Sequence, residues 1–136
     1  MGTGYIIECN NCSFTKEVDV GVGMMHSTPD ACMLSTSKKD QAIIKEITSK
    51  DKKAVFDIGG YSVFKCSKCS SLSNKFHIKV NLDDKILFDN NPNCRNCKIK
   101  MDLLIVDEDQ MKIIGIENCP KCKNDKITIN QSMLWD

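Results

Sequence analysis

At 136 residues and 15.3 kDa the chain has room for one compact domain or two very small ones. No apolar run approaches the roughly 18 to 20 residues of a membrane-spanning helix. Its beginning shows no basic stretch followed by an apolar one, and a soluble, cytoplasmic protein is expected. The formal charge is +1, and of 19 basic residues only Arg95 is an arginine. Arginine is the usual bidentate reader of phosphate and guanine, so its scarcity argues against sequence-specific DNA recognition. Together with fifteen Ile and eleven Asn it resembles the coding bias of an AT-rich genome, bacterial or phage.

Nine cysteines in a reducing compartment point to metal rather than disulfides. The first elements along the chain are the pair Cys9/Cys12 and a strand through Phe14, Val18 and Val20. An insertion over about 21–60 opens on Gly21-Val22-Gly23-Met24-Met25-His26, with Cys32 downstream. Within it, Ser37 should cap a helix over about 38–49, Asp40 should complete a capping box, and Ala42, Ile43, Ile44 and Ile47 should form its apolar stripe. Gly59-Gly60 should end the insertion. A strand over 61–65 then enters Cys66/Cys69, and a strand over 74–82 leaves it.

The pair Cys94/Cys97 precedes two apolar runs, Met101 to Val106 and Met111 to Ile116, separated by Asp107-Glu108-Asp109-Gln110. That pattern predicts a β-hairpin. After Cys119/Cys122, the alternation of Lys126-Ile127-Thr128-Ile129-Asn130 predicts a further strand.

Eight of the nine cysteines thus fall into four C-x-x-C pairs, enough for two complete four-sulfur sites. Two intervening residues make a tight turn that aims both sulfurs at one point and leaves backbone N–H groups to donate toward them. The order knuckle, strand, strand, knuckle, strand is how a zinc ribbon is built. The chain reads as small and mainly β with one helical insertion: a ribbon over 1–82 interrupted by the insertion, then a second ribbon over 83–136. In that reading Cys9, Cys12, Cys66 and Cys69 form one site and Cys94, Cys97, Cys119 and Cys122 the other. A rival arrangement joins Cys66/Cys69 to Cys94/Cys97 across 24 residues and leaves the outermost pairs to meet each other.

Closed tetrathiolates fold proteins and leave no coordination position for substrate. Zinc is the expected occupant, two ions in all, with iron in a rubredoxin-like electron carrier as the alternative. Four thiolates and a dication carry a net −2, so two loaded sites take the formal charge from +1 to −3.

The alternation of the 75–80 segment puts Lys75, His77 and Lys79 on one solvent face near Lys65 and Lys68. These five form the candidate contact for nucleic acid, of a salt-sensitive and non-specific kind. Gly21, Gly23, Met24, Met25, His26 and Cys32 form a candidate ligand or partner segment, and His26 with Cys32 could make a thiol enzyme or sensor. Trp135 is expected as a lid on an apolar surface.

The N-terminal knuckle, the Gly-x-Gly-Met-Met segment at 21–25, the helical insertion, the further knuckles and the closing Met133-Leu134-Trp135-Asp136 resemble a group of small, functionally uncharacterised bacterial zinc-ribbon proteins. The resemblance implies tandem rubredoxin-like ribbons holding zinc. The glycine that commonly follows a zinc knuckle is replaced by Ser13, Ser70, Lys98 and Lys123, and His26 stands where an aromatic residue often follows the Met pair. A non-enzymatic zinc-binding module presenting a protein-interaction surface is the expected function.

Overall fold

The computed structural model describes residues 2–23, 28–107, 109–110 and 112–135. Along the chain run β1 (Gly2–Cys9), β2 (Thr15–Gly21), α1 (Pro29–Met33), α2 (Lys38–Lys50), β3 (Val55–Lys65), β4 (Leu72–Leu82) and β5 (Lys85–Asp89). They are followed by β6 (Asp102–Leu103), β7 (Ile105–Asp107), β8 (Lys112–Ile114) and β9 (Ile127–Trp135). One antiparallel sheet has the order β5-β4-β3-β2-β1-β9, with β6 also paired to β3, and β7 and β8 form a separate hairpin.

The sheet crosses the expected boundary after residue 82, because β9 pairs along β1 from Cys9↔Ile127 to Gly2↔Trp135. Strand β1 lies before the first knuckle, where Gly2 and Gly4 interrupt any apolar alternation, and the sequence pattern does not announce it.

Helix α2 forms as its sequence predicts. The Ser37 hydroxyl accepts from the Asp40 N–H at 3.2 Å, and Ile44 is fully buried. The Asp40 carboxylate pairs with Lys75 at 3.3 Å, an ion pair the capping-box reading did not anticipate. Ile44 packs with Phe76, Ile78, Val80, Met33 and Cys32. A second core gathers Tyr5, Ile7, Val18, Val63, Ile113 and Ile116, joining β1, β2 and β3 to the β7–β8 hairpin region. Phe64 and Met101 pack with Cys66 and Cys94 in a third.

Gly59-Gly60 does not end the insertion; it lies inside β3 at a register shift opposite β4. Gly60 has φ +73°, and a Cβ there would fall 2.5 Å from the Gly21 carbonyl oxygen. A Cβ at Gly59 would fall 2.7 Å from His77 Nδ1. The pair therefore lets β2 approach β3 and gives the imidazole its space.

Strands β2 and β3 pair only at Gly21↔Tyr61, and the far end of β3 takes β6 instead. Asn74 ties the strands together where the ladder stops. Its Oδ1 accepts from the Asp19 N–H at 2.9 Å, and its Nδ2 donates to the Asp19 and Ser62 carbonyls at 2.8 and 3.0 Å. Trp135 lies opposite Gly2 with its ring edge-on to Tyr61, centroids 5.6 Å apart.

Candidate metal centres

The eight paired cysteines gather into two groups, but not in the sequential order expected. Cys9, Cys12, Cys119 and Cys122 form an outer group; Cys66, Cys69, Cys94 and Cys97 form an inner one. Within each group all four sulfurs lie within 4.8 Å of one another. This choice of partners has a topological cause. Strand β1 delivers Cys9, and β9 departs just after Cys122. Their pairing therefore carries the first and last knuckles together, while the turn between β3 and β4 places Cys66/Cys69 beside the next pair.

The spacings fit a tetrahedral ion. Cys9 Sγ lies 3.6 Å from Cys122 Sγ, Cys12 Sγ 3.6 Å from Cys119 Sγ, and Cys69 Sγ 3.5 Å from Cys94 Sγ. Four sulfurs at about 2.3 Å from a central ion stand about 3.8 Å apart, whereas a disulfide would bring two of them to about 2 Å. The two groups could each hold a metal ion. With four sulfurs per group, such an ion has no open position, so the arrangement suits folding rather than hydrolysis.

Each knuckle has the same backbone frame. The first cysteine's N–H donates to the carbonyl five residues on: Cys9 to Phe14, Cys66 to Ser71, Cys94 to Ile99 and Cys119 to Asn124, at 2.7 to 3.0 Å. In three of them the residue after the second cysteine closes the turn, with Ser70, Lys98 and Lys123 donating to Cys66, Cys94 and Cys119. Those three adopt φ of 64°, 59° and 63°, the left-handed region that favours glycine. Three of the four substitutions visible in the sequence, Ser13 excepted, are therefore carried as backbone strain.

The first cysteine of each pair is buried and the second half-buried. Polar groups aim at the sulfurs: Asn11 and Phe14 N–H at Cys9 and Cys12, Lys121 and Cys122 N–H at Cys119, and the Ser71 hydroxyl at Cys69 from 2.9 Å. The Ser71 hydroxyl and N–H pull the Cys69 thiol down to about 6, and the Asn124 N–H with the Asn11 amide does the same for Cys122. Cys97 is pushed up to about 12 by its sulfur neighbours, Cys69 foremost, and by burial. Cys12 also rises to about 12: the Phe14 N–H works the other way, but burial and three adjacent sulfurs outweigh it. Backbone N–H groups also lower Cys66 and Cys119 despite burial, so without a cation each quartet has two thiols that ionise more readily than usual and one, Cys97 or Cys12, that resists. A bound dication removes that resistance.

One lysine links two knuckles and another ties a knuckle to the segment after β8. Lys123 Nζ, beside the outer group, donates to the Cys69 carbonyl at 2.6 Å and to Pro120 at 3.0 Å. Lys65 Nζ, next to Cys66, donates to the Gly115 carbonyl at 2.7 Å. The sequence reading missed Asn11, Ser71 and Lys123. Their signal was position, one or two residues from a knuckle cysteine.

The basic face expected on β4 is only partly open to solvent: Lys75 and Lys79 are each about a third exposed. His77 is 2% exposed, packed edge-on against Phe64 at 5.5 Å, and burial lowers its pKa. Alternation placed it correctly on the face opposite Phe76, but that face is covered there. Lys75 pairs with Asp40, Lys79 with Asp57 at 3.6 Å, and Lys65 is committed to Gly115. Lys68 alone of the five is exposed, its ammonium in none of the ion pairs among the described residues.

Met24, Met25 and His26 lie outside the described residues, so the proposed His26/Cys32 pair has only one described member. Cys32 sits in α1, 1% exposed, its thiol pushed up by burial. That is the state of an inert core cysteine rather than a nucleophile. Gly21 pairs with both Gly2 and Tyr61, and Gly23 is buried.

Comparison with protein-family models, with curated proteins and with solved structures gave no match, so the functional reading rests on the geometry of these two sulfur quartets.

Proposed function

We propose that the chain is a non-enzymatic, cytoplasmic scaffold of the zinc-ribbon kind, folded around two zinc ions and working by binding rather than catalysis. One observation carries this reading: all eight C-x-x-C cysteines converge in two closed quartets with near-tetrahedral spacing. Zinc suits four thiolates without demanding redox chemistry; iron fits the same geometry and would make an electron carrier. Binding of structural zinc is worth on the order of 10 kcal/mol per site in small peptides and couples to folding. Among the described residues no helix is long and apolar enough to cross a membrane. A protein partner would meet the apolar side chains that face solvent, foremost Ile105 and Ile114, which pair across the β7–β8 hairpin at 67% and 55% exposure.

Elemental analysis of protein purified without added metal tests the reading. Two zinc ions per chain, with loss of the folded state on chelation, is the expected result. One ion, a red ferric chromophore, or a chelator-resistant fold would refute it.

A further inference from the structure

The two quartets border a trough that the sequence does not display. A cleft of about 540 Å³ lies between β2 and the inner quartet, and Lys16, Ser71, Leu72 and Arg95 are among its walls. A second hollow of about 330 Å³ shares Lys16, Ser71 and Leu72 and continues past Phe14 to Lys121, beside the outer quartet. The cleft opens where β2 and β3 have parted after a single paired position, which leaves β2 laddered to β1 alone.

The trough's charge is one-sided. Lys16, Arg95 and Lys121 line it, and among the described residues no Asp or Glu does. The ion pairs among the described residues are Lys50–Glu46, Lys75–Asp40, Lys79–Asp57 and Lys100–Asp89, so these three cations belong to none of them. The chain's single arginine is one of the three. The remaining walls of the cleft are mainly hydroxyls and amides; Leu72 gives an apolar surface where the two hollows join, and Phe14 extends it along the second.

We infer that this trough binds the backbone of a single-stranded nucleic acid, with phosphates on Lys16, Arg95 and Lys121 and base faces against Phe14 and Leu72. A narrow cationic groove with an apolar floor takes one strand without reading its sequence. Hollows of a few hundred Å³ do not admit a duplex. Two loaded quartets carrying about −2 each keep the binding modest and sensitive to salt. The inference rests on the metal-scaffold reading, because both ends of the trough are walled by knuckles.

The test is fluorescence anisotropy of the metal-loaded chain with a labelled oligothymidylate of about ten nucleotides, titrated in salt. Three phosphate contacts to a single strand predict a log–log slope of about −2. The variant Lys16→Gln/Arg95→Gln/Lys121→Gln should weaken binding at least tenfold at low salt and flatten that slope. The control Lys50→Gln/Lys79→Gln/Lys100→Gln, which removes as much charge elsewhere, should weaken it far less. Metal content is measured on the same samples. A trough variant that keeps both ions but loses the oligonucleotide supports the inference, and loss of an ion refers the failure to the scaffold. No binding at low salt, equal losses in the two variants, preference for duplex, or equal competition by inorganic phosphate or a phosphopeptide would overturn it.

Discussion

Lys98 and Lys123 occupy the same position in two knuckles with nearly the same backbone, yet replacing each by glycine should have different consequences. Both residues sit at φ near 60° and both close the turn through their own N–H. A left-handed L-residue costs about 1–2 kcal/mol, and glycine returns part of that gain, about 0.4–1 kcal/mol, as extra freedom in the unfolded chain. Lys98→Gly should therefore stabilise the metal-loaded protein by about 0.5–1 kcal/mol. Lys123→Gly receives the same relief but deletes the Nζ bonds to Cys69 and Pro120. For an exposed ammonium these are worth together about 1 kcal/mol. Lys123→Gly should thus be near neutral, and Lys123→Met, which removes the bonds and keeps the strain, should lose about 1 kcal/mol. Urea unfolding at fixed free metal gives the order directly, provided the slope with denaturant stays constant. A midpoint for Lys98→Gly at or below the parent would refute the strain argument. Equal midpoints for Lys98→Gly and Lys123→Gly would show that the lysine bridge between the quartets contributes nothing.

The nested ligand sets make a second prediction: Cys9→Ser and Cys119→Ser should each cost the same ion and leave the inner one, and Cys66→Ser and Cys94→Ser the reverse, as native mass spectrometry would show. Asn74→Ala breaks three hydrogen bonds where β2 and β3 part, and should destabilise by about 1–3 kcal/mol in thermal unfolding. His77 sets a pH dependence. Burial holds its pKa below the ordinary value, so as pH falls the unfolded chain takes up the proton first. Its contribution is complete above about pH 6.5 and is lost as pH falls below that value. His77→Phe should flatten the difference in stability between pH 7 and pH 5 relative to the parent; an unchanged difference would show that the imidazole does not titrate on unfolding. Cys32 in the metal-loaded protein should react with an alkylating agent no faster than global unfolding allows.

Much of the local structure was legible in the sequence because local rules govern it. Ser37 announced α2, alternation announced β4 and β9, and the C-x-x-C spacing announced all four knuckles. What was not legible depended on contacts across the chain. The partnering of Cys9/Cys12 with Cys119/Cys122 is fixed by β1 lying beside β9, and nothing within either segment encodes the other. The repeated order of knuckles and strands favoured sequential partners, and the pairing of β1 with β9 overrode it. His77 failed for a related reason: period-2 alternation assigns a face but not what covers that face, and Phe64 comes from the neighbouring strand. The trough cations Lys16, Arg95 and Lys121 are far apart in sequence and form no motif.

The nesting of the ligand sets also imposes an order of arrival during synthesis. The inner quartet is complete once Cys97 has been made, whereas Cys9 and Cys12 must wait for Cys119 and Cys122, with 106 residues between Cys12 and Cys119. Throughout that interval the first dithiol is unsatisfied, and the next pair to emerge is Cys66/Cys69, its wrong partner. An ion captured there would tether the N-terminal strand to β3 and compete with Cys94/Cys97. Correct assembly then depends on exchange between thiolates being faster than the metal's commitment to its first four sulfurs. Refolding into limiting metal should therefore give a different mixture of species from refolding into excess.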